Sequence, residues 1–128
     1  MGDAIHSFTQ GLIAAELGQR ERLAFRTLIA PRAGAPDVYV VALPQMETPH
    51  LVVEVLSPQD QGAEVLAKLA DYQAAGIPHV WLVDPYKRQL FDCSDGRIVR
   101  SDAPILSTPL VGEVDFAALF AQLDETSS

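Results

Sequence analysis

The chain has 128 residues, 48% of them hydrophobic, with a formal net charge of −8 and a pI near 4.6. This length suits one domain with a modest core, and the charge excludes a protein that coats nucleic acid, because phosphate affinity comes from Lys and Arg. A single cysteine, Cys93, excludes an intrachain disulfide and a cysteine-based zinc site.

An enzyme that touches DNA briefly, through a local basic patch or a bound cation, stays compatible with that charge. One lone cysteine fits a reducing cytoplasm. GLIAAELG follows Asp3 and His6 rather than a basic leader, and no apolar run approaches the ~18 residues of a bilayer span. The expectation is a soluble cytoplasmic protein with no membrane association.

Ile5, Phe8, Leu12, Ile13 and Leu17 recur at helical spacing and Gly18 suits a stop, which predicts a helix over 4–17. Leu23, Phe25, Thr27 and Ile29 alternate as in a half-buried strand. PRAGAP reads as a loop, VYVVAL (38–43) as a strand, PQMETPH as a second loop and LVVEVL (51–56) as a second strand. Continuous apolar strands of this kind sit centrally in a sheet covered on both faces. A helix over 61–75 follows, with Val65, Leu66, Leu69 and Tyr72 as its apolar stripe and Gly76 as its end. HVWLVD (79–84) is a third apolar strand, so a right-handed crossover between parallel strands is expected. Gln89–Cys93 and Arg97–Arg100 flank Ser94-Asp95-Gly96 as a hairpin. Asp115 suits the cap of a last helix, Phe116 to Leu123. Together these give an α/β three-layer sandwich around a mixed sheet, as one domain over 1–124 with a frayed tail over 125–128.

Glu54 is the only charge inside LVVEVL, and a carboxylate in a buried strand costs several kcal/mol unless it is paired, hydrogen-bonded or metal-bound. Asp37 opens the preceding strand after Pro36. If the two strands pair, both acids reach one hard cation, which prefers oxygen ligands. Lys68 lies fourteen positions after Glu54, on the shoulder of the helix stripe, from which an ammonium can turn toward the sheet while its stem stays packed. Such a set suits metal-dependent phosphodiester cleavage, with the lysine orienting water or stabilising charge in the transition state. Each residue also has a bland reading. A strand Glu can sit solvated at a sheet end or pair with Arg, Lys68 can pair with Glu64 one turn away, and an Asp after Pro is a common strand opener.

PDVYVV, LVVEVLSP and KLADYQAAGIPHVWLVDP together resemble the Uma-type putative restriction endonuclease family, within the PD-(D/E)XK nuclease superfamily. The likeness runs from Pro36 to Pro85 and, more loosely, to Phe120. It implies a restriction-endonuclease-like core, a DNA phosphodiester substrate and Mg2+ or Mn2+ held by Asp37, Glu54 and the backbone carbonyl of Val55. The lysine usual two residues after the glutamate is absent, since Leu56 stands there, and Lys68 takes its place from the helix. A homodimer is a further implication. The chain departs from the family pattern in lacking basic residues over 59–63, in His79-Val80, and in starting close to the first helix.

Those departures and the acidic charge support an alternative, a catalytically silent interaction or dimerisation module with the same fold. The resemblance also offers His6 as a match to a helix histidine of the family, but it reads rather as a lone surface histidine; His50 and His79 read as structural, and Trp81 as core. Lys87, Arg88, Arg97 and Arg100 form the one basic concentration and read as solvated hairpin charges. Cys93 has no histidine near it in sequence to make it a nucleophile.

Overall fold

Three short apolar runs, VYVVA, LVVEV and HVWLVD, become adjacent strands at the centre of the protein. The structure, a computed structural model, describes residues 4–22, 24–29, 36–44 and 47–127. Its elements are α1 (Ala4–Gly18), β1 (Phe25–Ile29), β2 (Val38–Ala42), β3 (Leu51–Val55), α2 (Gly62–Ala74), β4 (His79–Asp84), β5 (Gln89–Asp92), β6 (Val99–Arg100), β7 (Ile105–Thr108), β8 (Gly112–Asp115) and α3 (Phe116–Ser127). The first six strands form one sheet in chain order. All neighbours are antiparallel except β3 and β4, which run parallel. A parallel pair needs a long connection, and α2 supplies it. Among the described residues, no helix is long and apolar enough to cross a membrane.

Every residue of β3 is buried, as is all of β4 after His79. Alternation divides their side chains between two cores. Val53, Val55, Trp81 and Val83 pack with Ile13 and Leu17 of α1 and with Phe116, Leu119 and Leu123 of α3. Val52, Val80 and Leu82 pack with Leu69 and Tyr72 of α2. The result is the expected three layers, with α2 alone on one face. Trp81 meets Phe116 edge-on, centroids 6.1 Å apart at 79°, a geometry that favours the ring quadrupoles.

The end of α2 is fixed by its backbone. Gly76, at φ 79°, donates to the Gln73 carbonyl, and Ile77 donates to the Tyr72 carbonyl at 3.2 Å. These are the two bonds of a Schellman motif, and Ile77 and Tyr72 share the same core as its apolar contact. Tyr72 is thereby held at both backbone and ring.

Several expectations change. Leu66 is 56% exposed, because the buried face of α2 follows Val65, Leu69 and Tyr72, and Leu66 lies one residue, about 100°, off that line. On α1 the buried residues are Thr9, Ile13 and Leu17, four apart, while Phe8 is exposed. In β1 only Phe25 is fully buried, since this is an edge strand; Leu23 and most of PRAGAP lie outside the described residues. The β5–β6 hairpin is shorter than its sequence signal, and a further hairpin, β7–β8, follows it, pairing Thr108 with Gly112 at φ 78°. Asp115 does cap α3, its carboxylate accepting from the Ala117 N–H at 2.9 Å. That helix runs on past Leu123 to Ser127, and Ser128 lies outside the described residues.

This core assignment predicts that Phe116→Ala lowers unfolding free energy by ~3–5 kcal/mol in urea denaturation. Leu66→Ser should change it by no more than ~0.5 kcal/mol. Comparable losses for the two would contradict the packing described.

Candidate active site

The β2–β3 register places the two acids together. Val38 faces Val53 and Tyr39 faces Val52 across the antiparallel pair. One step beyond the last pair, Asp37 stands opposite Glu54, close enough for their carboxyls to interact. Glu54 is 7% exposed. Its two oxygens are met from successive turns of α2. Lys68 Nζ lies 3.6 Å from Oε2, and the Tyr72 hydroxyl donates to Oε1. The pair that Lys68 makes is therefore with Glu54, not Glu64. Its side chain remains 40% exposed, so it reaches the acid from the solvent side.

Asp37 is held from the other layer. Its Oδ2 accepts the Val55 N–H at 2.8 Å, His6 Nε2 of α1 lies 3.2 Å from Oδ1, and the Gln10 amide donates to the Asp37 carbonyl at 2.8 Å. His6 is thus no lone surface histidine. Its spacing of four from Gln10, in line with Ile13 and Leu17, was the available signal. Tyr72 was assigned to the apolar stripe for its ring, and its hydroxyl turns out to serve the acid.

The Glu54 carboxyl is raised to about 7, chiefly by burial, with Asp37 adding through its charge and a shared hydrogen bond, while the Tyr72 hydrogen bond and the Lys68 charge oppose the rise. Tyr72 is itself driven well above its ordinary value, by burial and then by the hydrogen bond to Glu54. A cation between the two carboxyls would relieve the opposition of Asp37 to the ionisation of Glu54.

The donor set fits a hard divalent cation. The carbonyl of Val55 lies on the same side of β3 as its N–H, toward Asp37, and adds a third oxygen. Among the described residues no group of three or more His, Cys, Asp and Glu converges. This is not a closed protein cage, and Mg2+ commonly takes one or two carboxylates and fills the rest with water and phosphate oxygens. A small cavity of about 30 Å³ beside the acids is lined by Glu54, Asp60, Glu64 and Lys68, with Leu56 at its wall. The site lies at the carboxyl ends of parallel β3 and β4, where open α/β sheets place ligands.

The remaining candidates fall elsewhere. At the amino ends of β3 and β4 the rings of His50 and His79 are 4.7 Å apart, and His50 Nε2 lies 2.9 Å from Thr108 Oγ1. This is a structural junction with the β7–β8 hairpin. Burial and the nearby His79 lower the pKa of His50. Arg88 is taken up by Asp124 at 2.5 Å and lies over the Phe120 ring, away from the acids. Trp81 is fully buried in the core. Cys93 is buried with its thiol pushed up to about 11, mainly by burial, which keeps it unreactive.

Glu54 gives stability a defined pH dependence. Its folded value lies above the ordinary 4.5, so between about 4.5 and 7 the folded state holds the extra proton. That contribution is complete below the unfolded value and is lost as pH rises through the folded one. Cation-free protein should lose stability from pH 5 to pH 8 by an amount on the order of 3 kcal/mol. The slope should flatten in Glu54→Gln, as read by urea titration at each pH. An equal slope in the variant would refute the assignment.

Comparison with known proteins bears on the family and the fold. A family model, Uma2, described as "Putative restriction endonuclease", matches residues 7–111. The fold is that of a crystal structure of a "putative nuclease belonging to DUF820" from Anabaena variabilis, at a TM-score of 0.80 and 19% identity, covering 96% of this chain and 84% of that one. No curated protein matches. With the family model spanning most of its length and the restriction-endonuclease-like fold in place, the chain belongs to the Uma2 family.

Proposed function

We propose that the protein is a metal-dependent endonuclease that hydrolyses DNA phosphodiester bonds, with Asp37, Glu54 and Lys68 as its catalytic residues. The observation that carries this reading is the facing carboxyls of Asp37 and buried Glu54, with one ammonium 3.6 Å from Glu54 Oε2. Asp37, Glu54 and the Val55 carbonyl hold Mg2+ or Mn2+. When bound, the cation supplies positive charge to the phosphate and lowers the pKa of water at the site.

The chain's own residues do the rest. Tyr72 fixes Oε1 of Glu54, so the carboxylate presents Oε2 without searching rotamers. The Val55 N–H and His6 orient Asp37 in the same way. Lys68, tethered by its packed stem and partly exposed at its tip, donates hydrogen bonds to the attacking water or to the phosphoryl oxygens as their charge grows. A silent module would gain nothing from a carboxyl pair at odds with its own ionisation, which counts for the nuclease reading. The Uma2 family description and the fold count for it as well.

Purified protein with Mg2+ or Mn2+ should nick or linearise plasmid DNA. Asp37→Ala and Glu54→Ala should abolish cleavage, and Lys68→Ala should slow it by ~10²–10³. Mn2+ should raise the melting temperature of the parent protein and leave Glu54→Gln unchanged. No cleavage of either duplex or single-stranded DNA with either cation, or cleavage that survives both acid substitutions, would end this reading.

A further inference from the structure

Next to the catalytic cavity lies a much larger groove of about 640 Å³. The two share Leu56, Asp60, Val65 and Leu82, so they form one continuous depression. The volume is that of a small-molecule or nucleotide site. The connection from β3 to α2 forms one side of it, with Leu56, Pro58 and Asp60, and other elements complete it. α2 contributes Leu66, the turn after β4 contributes Tyr86 and Lys87, and the segment before β6 contributes Ile98. Leu66 is 56% exposed and Ile98 45%, both large apolar side chains facing water at its rim. Asp84, which also lines it, is occupied in its own turn, accepting from the Tyr86 and Lys87 N–H groups.

This wall is the wrong surface for a duplex. Double-stranded DNA presents phosphates, and a protein grips them with many cations. Here Lys87 and Lys68 stand at either part of the depression, and the surface between them is mostly apolar, with Asp60, which accepts from the Ser57 N–H, at the shared edge. An unpaired base has the opposite character. It is uncharged, flat and apolar on its faces, and it stacks on aromatic and aliphatic side chains without regard to sequence. A base in the groove leaves its backbone phosphate at the neighbouring cavity, between the two lysines. We infer that the groove holds an unstacked base of a single-stranded or locally unpaired nucleic acid, next to the phosphate that is cut. The inference rests on the nuclease reading and specifies its substrate class. One site then suffices for one strand, with no second copy needed.

The test is binding of a short single-stranded DNA containing aminopurine, against the same strand annealed to its complement, with Ca2+ as cation and the full chain as protein. The single strand should bind about tenfold or more tightly than the duplex, with aminopurine fluorescence altered only in the single strand. The double variant Leu66→Ser/Ile98→Ser changes two exposed residues. It should keep its melting temperature and its Mn2+ response, and bind the single strand about tenfold more weakly. Equal or tighter duplex binding, or unchanged affinity in the double variant, would overturn the inference. If duplex plasmid is still cut in that case, the nuclease reading stands without it. If neither form of DNA is bound or cut, the nuclease reading falls and takes this one with it.

Discussion

The burial of one carboxyl, that of Glu54, organises this end of the molecule. β3 lies between β2 and β4 and is covered by helices on both faces, so a charged residue within it has no water to turn to. Such a group is tolerated only with specific partners. The neighbouring elements provide them: Tyr72 and Lys68 from α2, and Asp37 from the strand beside it. The Schellman end of α2 then becomes part of the same arrangement. It fixes Tyr72, Tyr72 fixes one oxygen of Glu54, and the other oxygen is left to Lys68. The partners do not fully compensate, since Asp37 opposes the ionisation that Lys68 and Tyr72 favour. A site poised in this way answers to a cation more sharply than a satisfied ion pair does.

Much of this was legible in the sequence because it depends on short-range rules. A glutamate within a continuous apolar run is conspicuous, and strand alternation assigns it a face. The Asp37–Glu54 encounter needed only that the two strands pair antiparallel with a short connection, which they do. Lys68 was a matter of helix phase. What was missed depends on contacts between layers. His6 reaches Asp37 from α1, on the far side of the sheet, and no periodicity within α1 shows where β2 begins. Leu66 has an apolar neighbour on each side of its turn and reads as core, yet it lies about 100° off the line of Val65, Leu69 and Tyr72 that faces the sheet. The β7–β8 hairpin was passed over because ILST and GEVD are short and carry few strand-forming residues between two clearer elements.

Leu56 ties the site to the groove. At this position a lysine would have put the ammonium on β3 itself. With leucine there, the strand end becomes an apolar wall common to both cavities, and the ammonium arrives from α2 instead. The two choices depend on each other. A lysine at both positions would crowd like charges around one carboxylate, and a lysine at neither would leave Glu54 buried against Asp37 with only a hydroxyl to oppose the repulsion.

The acidic charge of the chain looks hostile to any phosphate ligand, and distance decides how far that matters. At physiological salt the screening length is ~8 Å, so most of the net charge of −8 is hidden from an anion at the carboxyl ends of β3 and β4. What such an anion meets is local. Around the cavity Asp37, Glu54, Asp60 and Glu64 outnumber Lys68, and a divalent cation would offset most of that local negative charge. At ~4 Å, two unit charges interact by about 4 kcal/mol in surroundings like these, more than distant screened carboxylates oppose. If the protein works as proposed, a cation would decide whether a phosphate enters, and the apolar groove would decide which nucleic acid can follow it.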